Sequence, residues 1–360
     1  MPRVTLQTIA DQVGVSRMTV SNAFSRPDQL SPELRTRILD AADKLGYAGP
    51  DPAARALARG TTGAVGILLT DSLRYAFTDE VAAAFLGAIA DEMADSGLAI
   101  TLLTSSELQR VVPARDLPMD GALIYSCDPD STAVDWLRRR NLPLVFVDQV
   151  AERGQATINV ADRAGAALAA RHLIDLGHRR IDIVTSSFAG PHGLLDDAVA
   201  AATGHVQRER LIGWTDTLAA AGVTPCIVVE QHSDSEAGHR SGMLLLLADD
   251  PPTAVLCFSD AIASGVVQAA RELDLDVPGD LSVVGFDDNP LAQRLRPPLT
   301  TIRQDVEAKG RAAGAALNAA MARARAGSGP RPKQVVLPVE LVARESTAPP
   351  RSGKRCARRV

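Results

Sequence analysis

The sequence predicts an α/β protein: a small three-helix domain at the N-terminus, then two similarly built halves of parallel sheet. Three observations predict it. Residues 5–25, TLQTIADQVGVSRMTVSNAFS, hold two short amphipathic segments broken by a glycine. From Thr62 onward, continuous apolar runs alternate with helical stretches, the pattern of buried parallel strands joined by crossover helices. That alternation restarts past the middle of the chain, so two such sets face each other across a cleft.

In the opening stretch Leu6, Ile9, Ala10 and Val13 recur at helical spacing and bury one face. Gly14 supplies the turn, since glycine reaches positive φ without steric cost. Val15 closes the small core, and Ser16 is a good N-cap for a second helix from about Arg17 to Phe24. Val20, Ala23 and Phe24 point inward on it, which turns Arg17, Met18, Thr19, Ser21 and Asn22 outward. That surface carries short polar groups and an arginine but no carboxylate, as a helix placed near phosphates would. An ordinary helical hairpin with a solvated face has much the same look. Ser31-Pro32-Glu33 reads as an N-cap with proline at the first helical position. It opens a third helix, PELRTRILDAADKLGY, with Leu34, Ile38, Leu39, Ala42 and Leu45 on one side. Residues 1–48 thus form one domain. Gly49-Pro50-Asp51-Pro52 breaks the chain, and AARALARG (53–60) forms a helix too short to stand alone in water. The linker, 49–61, is therefore ordered only when something holds it.

The core, 62–345, carries expected strands at 64–70, 98–104, 121–126 and 142–148, then at 181–186, 226–230, 254–259 and 281–286. Helices fall at about 78–96, 131–140, 162–176, 207–221, 235–248 and 260–274, with Asp162 as an N-cap and Gly177 just past that helix's end. One subdomain covers about 62–149 and 301–326, the other about 150–300 and 330–345. Residues 346–360 read as a basic, disordered tail.

At 360 residues, 46% hydrophobic and 22% charged, the chain is globular and long enough for more than one core. Apolar runs such as AAAFLGAIA (82–90) are far short of a membrane span. Asp11 and Gln12 interrupt the first apolar face, so the start reads as no signal peptide, and the expected location is the cytoplasm, in association with the nucleoid. Cys127, Cys226, Cys257 and Cys356 lie far apart without metal-ligand spacing and read as free thiols. No cofactor and no metal site are expected. The net charge of −5 is uneven: residues 1–60 hold 8 Lys/Arg against 6 Asp/Glu, 349–360 hold 5 basic residues and no acid, and the stretch between is acidic. An acidic body with basic ends suits a protein that offers one end to a polyanion.

Loops at the carboxyl ends of parallel strands converge on the crevice where α/β folds place ligands. The residues there are Asp71-Ser72, Tyr125-Ser126, Asp148, Ser259-Asp260 and Asp287-Asp288. Carboxylates so placed suit a hydroxyl-rich ligand, because charge-assisted hydrogen bonds are the stronger sort. Asp71 and Asp260 are expected to cap the helices that follow them; Asp148 and Asp287 are expected to contact ligand.

In order along the chain, VTLQTIADQVGVSRMTVSNAFS, LSPELRTRILDAADKLGY, PDPAARALARG, RAGAALAARHLIDLGHRRIDIVT, LSVVGFDD, PPLTTIRQD and LPVELVARESTAPP resemble the landmarks of the LacI/GalR family of bacterial transcription regulators. The resemblance covers almost the whole chain and implies a helix-turn-helix domain, a hinge helix and a two-subdomain core like that of periplasmic binding proteins. It implies that Arg17, Met18 and Asn22 read bases in the major groove, where arginine suits guanine, asparagine adenine, and methionine a thymine methyl. Thr5, Ser16, Thr19 and Ser21 match phosphate-contacting positions, with Leu6 beside them in the DNA-binding set. Leu57 matches the hinge leucine that wedges into a minor-groove step, with Arg55 beside it. Asp148, Arg210 and Asp287 match positions that hold the effector, and Ser72, Phe77 and Tyr125 match cleft positions of more variable identity.

There are departures from that pattern. Asp51 stands where an asparagine is usual. The segment 105–119 is short and holds two prolines, so its crossover helix is expected to be stunted. The loop 185–207 is unusual, and no aromatic stands near Ser233 in the sequence. The end of the chain lacks a leucine heptad, so a homodimer is the expectation. The implied function is a repressor whose operator binding is set by a small effector, a sugar for most of the family and a purine or nucleoside co-repressor in its main variant. A transporter's solute-binding protein would lack residues 1–60. An enzyme would need a nucleophile, metal site or phosphate loop that nothing in the sequence marks.

Overall fold

The computed structural model describes residues 4–49, 51, 55–56, 60–69, 73–104, 112–126, 131–150, 154–327 and 331–351. They belong to two units, Met1–Gly63 and Ala64–Val360.

The first unit follows from its caps. Helix α1 (Leu6–Val13) starts at Thr5, whose hydroxyl accepts from the Thr8 amide in a capping box, and stops at Gly14, which sits at φ 77°. Helix α2 (Arg17–Ser25) starts at Ser16, and α3 (Pro32–Lys44) at Ser31 with Pro32 in its first turn. Ile9, Ala10, Val20, Ala23, Ile38, Ala41 and Ala42 are buried together, with Leu6, Val13, Val15, Phe24 and Leu34 packed around them.

The second unit holds two sheets. The first has the order β12-β5-β4-β3-β1-β2 and is parallel throughout. Its strands are β1 (Ala64–Leu69), β2 (Ala99–Thr104), β3 (Ala122–Tyr125), β4 (Leu144–Val147), β5 (Ala156–Val160) and β12 (Gln334–Leu337). The second has the order β13-β11-β10-β9-β6-β8-β7, from β6 (Ile181–Ser186), β7 (Gly193–Leu194), β8 (Ile227–Glu230), β9 (Ala254–Cys257), β10 (Ser282–Asp287), β11 (Thr300–Gln304) and β13 (Val339–Val342). Only the outer strands β13 and β7 run antiparallel to their neighbours. The helix pair Glu80–Met93 and Val306–Ala326 covers one sheet. The pairs Asp162–Asp175 with His205–Ala220 and Ser235–Leu246 with Asp260–Glu272 cover the other. The last pair meets backbone to backbone, for a Cβ on Gly265 would strike the Ser235 carbonyl oxygen.

The subdomain bounds differ from those expected. β5 lies in the first sheet, so that half runs on to Val160; β11 lies in the second, and β12 returns to the first. β5 mixes Thr157 and Asn159 into its apolar run, and β12 is an edge strand whose Val336 is exposed, so neither carries the signal of a buried strand. The chain therefore passes between halves after β5, β11 and β12, and the three passages are knit together. The Ala161 amide donates to the Leu337 carbonyl, and Gln304 pairs with Val339.

The tail is also corrected. Ser346 is fully buried: its hydroxyl accepts from the Thr300 amide (2.8 Å) and donates to the Val283 carbonyl (2.6 Å), which straps the end of the chain across β10 and β11. His178 reaches the Ala348 carbonyl and Arg351 pairs with Asp280 at 2.8 Å, so residues 346–351 belong to the fold; 352–360 lie outside the described residues. Of the segment expected to hold a stunted crossover, the described part carries a four-residue helix, Pro113–Asp116, and 105–111 lie outside the described residues. Among the described residues no helix is long and apolar enough to cross a membrane.

Candidate functional site

On α2 the inward and outward residues fall as the periodicity requires. Val20 and Ala23 are buried, Arg17 and Met18 are exposed (Met18 by 69%), and Thr19, Ser21 and Asn22 are half-buried. Ser16 Oγ accepts from the Thr19 amide at 3.0 Å and shares a hydrogen bond with Thr19 Oγ1 at 2.8 Å, which fixes the helix start. A helix N-terminus presents free amides and the positive end of its dipole, a ready site for a phosphate. Asn22 Nδ2 donates to Gln29 Oε1 (3.2 Å), so a two-point contact with a base requires that bond to be exchanged. Leu6 packs at the rim of the domain's core. In the linker the Arg55 amide donates to the Asp51 carbonyl; Leu57 lies outside the described residues.

The second site is a cavity of about 140 Å³ between the halves of the core. Tyr125, Ser126, Asp148 and Lys309 line it from one half, and Ser187, Phe188, Gln207, Arg210, Asp287 and Gln304 from the other. Ser126, Asp148 and Asp287 hold positive φ angles of 53°, 56° and 119°, conformations that side-chain-bearing residues rarely adopt. Strain of this kind persists only where surrounding structure enforces it, and it clusters at ligand sites.

Arg210 is the hub of the second half. Its Nε donates to Asp162 Oδ1 (2.8 Å), a terminal nitrogen donates to the Phe258 carbonyl, and another lies 3.8 Å from Asp287 Oδ1. Its guanidinium lies 3.5 Å from the centre of the Phe286 ring. Lys309 is the hub of the first: buried beneath Tyr125 and Phe85, it donates to Asp148 Oδ2 (2.8 Å) and Gln304 Oε1 (3.1 Å). Gln304 in turn donates to Asp287 Oδ1 (2.6 Å). A continuous polar chain thus runs from Asp148 through Lys309 and Gln304 to Asp287 and Arg210. At the outer rim Glu80 and Arg294, from opposite halves, pair at 2.7 Å; both are well exposed, so their bond adds about 0–1 kcal/mol.

Several expectations change. Phe77 sits on a one-turn helix, 73% exposed, and does not line the cavity. Ser72 and Asp71 lie outside the described residues. Tyr125 lines the cavity but its ring stacks on Phe85 (centroids 4.5 Å apart), so it belongs to the core as well. Asp162 is no N-cap: it stands at the first helical position with its carboxylate on Arg210. Asp260 is no cap either, since Ser259 caps that helix while Asp260 accepts from Thr301 Oγ1 and the Asn289 amide. The aromatic missing beside Ser233 in sequence is supplied from afar by Phe188, which lines the same cavity and lies 6.5 Å from the His232 ring. Phe188, Asp162, Gln304 and Lys309 escaped the sequence reading, because nothing near them in sequence marks their long-range partners.

Burial raises the Asp287 carboxyl to about 7, with Asp79 adding to the rise and Arg210 the strongest opposing influence. Asp260, buried beside it, is raised too. An unfolded aspartate titrates at about 3.9. Between those values the folded chain binds more protons than the unfolded one. The stability this group contributes is therefore full below the unfolded value and lost as pH rises through the folded one. Raising the pH from about 6 to about 8 is expected to lower the Tm of the core by this route. Asp287→Asn should flatten that dependence in a thermal melt series, and an unaltered slope in the variant would contradict the assignment.

Family models match twice, "Bacterial regulatory proteins, lacI family" over residues 5–49 and "Periplasmic binding protein-like domain" over 170–347. The transcriptional regulator IpsA of Corynebacterium glutamicum is 40% identical over 326 residues, 87% of this chain and 90% of that protein. The lac repressor dimer bound to operator and the anti-inducer ONPF superposes with a TM-score of 0.75 at 26% identity, covering 96% of this chain and 99% of that one. The complex of the regulator CelR with cellobiose gives 0.68 at 26% identity, covering 96% and 100%. An N-terminal helix-turn-helix, a two-sheet core with a polar cavity between its halves, and a relative this similar over most of both chains converge on one conclusion: the chain belongs to the LacI family and is a DNA-binding transcription regulator, not an enzyme.

Proposed function

We propose that the protein is a repressor that acts as a homodimer and is controlled by a sugar held in the core cavity. Two copies of α2 are set on a pseudo-palindromic operator, with half-site spacing fixed by two-fold symmetry. Arg17, Met18 and Asn22 meet base edges, while Thr5, Ser16, Thr19 and Ser21 hold the backbone with Leu6 beside them. Arg55 and Leu57 act in the linker, whose ordering cost is offset only in the bound complex. Asp148, Arg210 and Asp287 grip the effector, with Tyr125 at its edge. The effector shifts DNA affinity only by its differential preference for one closure of the cavity.

The observation that carries this reading is the set of strained carboxylates, Asp148 and Asp287, that line one cavity from its two halves. Lac repressor as an operator-bound dimer and CelR with a disaccharide speak for the same arrangement. The test is an electrophoretic or fluorescence titration of the full chain on promoter fragments at fixed salt, with and without sugars. The expected result is dimeric binding to one inverted repeat that a sugar weakens. A strictly monomeric protein without preference among fragments would overturn it.

A further inference from the structure

Two cations line the inner cavity among the described residues, and each is already committed to a carboxylate. Lys309 is held by Asp148 and Gln304; Arg210 is held by Asp162 and the Phe258 carbonyl. Both side chains are almost wholly buried. The acceptors are in the opposite condition. Asp148 Oδ1 and Gln207 Oε1 are buried without a hydrogen-bond partner, on two residues that line the cavity. Buried acceptors lacking a donor are costly and rare. A cation drawn off a buried pair leaves its carboxylate uncompensated, which is costlier still. An entering molecule thus meets acceptors in want of donors and two cations whose charge is already shared with carboxylates, the remaining Arg210 nitrogen, Nη2, lying 3.8 Å from Asp287 Oδ1.

We infer that Lys309 sets the charge class of the effector: engaged with Asp148, it makes the cavity take an uncharged, hydroxyl-rich molecule and refuse the phosphate ester of that same molecule. The inference rests on the sugar reading above. Lys309 is a positioning residue here. It occupies Oδ2 of Asp148 and so leaves Oδ1 for a ligand hydroxyl, while a second hydroxyl donates to Gln207 Oε1. A phosphate in that place would have to share Lys309 with Asp148 or Arg210 with Asp162, and would lie against the carboxylates of Asp148 and Asp287.

The test is calorimetric titration of the full chain, wild type and Asp148→Asn, with neutral sugars and sugar alcohols, the phosphate esters of the same compounds, and purine bases. Wild type should bind a neutral sugar at least roughly tenfold more tightly than its ester. Asp148→Asn removes the carboxylate and releases Lys309, so the ratio should move by a comparable factor toward the ester. A purely structural role would weaken both ligands alike. An ester that binds wild type as tightly as its parent, or a ratio unmoved in Asp148→Asn, overturns the inference and leaves the sugar reading standing. A purine that binds where no sugar does overturns both. The wild-type comparison decides the charge class by itself should the variant not fold.

Discussion

Arg210→Ala is expected to abolish the ligand response and to destabilise the core by roughly 3–5 kcal/mol, the range for removing one partner of a buried ion pair. The change strands Asp162, on which Arg210 donates at 2.8 Å, and withdraws the nearest positive charge from Asp287. Asp162 is fully enclosed, and burial already raises its carboxyl even with the arginine in place. Loss of the guanidinium also empties the space between Phe286 and Phe258. The denaturant midpoint of the core should fall, and ligands should give no thermal shift. Operator binding should survive, since the helix-turn-helix has its own core. Arg210→Lys should rescue only in part, because an ammonium can neither fork between partners nor stack on the ring as a guanidinium does. A variant with the wild-type midpoint and a normal ligand response would remove Arg210 from the site.

The second large effect falls on DNA. Arg17→Ala should weaken binding to the preferred operator by roughly 1–3 kcal/mol and relax base preference at one position per half-site, the signature of a lost two-point contact to guanine. Arg17 is exposed in the first turn of α2, directly after the Ser16 cap, so truncation leaves the fold of the domain untouched. A residue that held only a phosphate would weaken all sequences alike and flatten the salt dependence. Selection on randomised operators separates the two outcomes, and unchanged selectivity would reassign Arg17 to the backbone.

Residues 5–45 were legible almost to the residue because their signals are local. Ser16, Ser31 and Gly14 each act within one turn, and the structure uses them as caps and turn. The long apolar strands were legible for the same reason, down to the carboxylates at their ends. What stayed hidden depends on partners far along the chain. Lys309 meets Asp148 across 161 residues, and Arg210 meets Asp162 across 48, so neither pair leaves a trace at short range. Asp162 beside a helix start reads as a cap on propensity alone, whereas tertiary pairing gave that carboxylate another use. β5 was missed because the polar Thr157 and Asn159 interrupt its apolar run, and β12 because a strand at the sheet edge tolerates exposed residues.

The three stitched passages between the lobes carry a mechanical consequence. Tethers tied side by side forbid sliding of one lobe over the other and leave swivelling about the tied region as the soft motion. Lys309 and Gln304 stand at that pivot, where a small turn displaces nearby atoms little but swings remote surfaces far. A molecule that settles against them is therefore expected to bias the angle between the two lobes, turning a change of atomic size into a larger one without any long-distance wire.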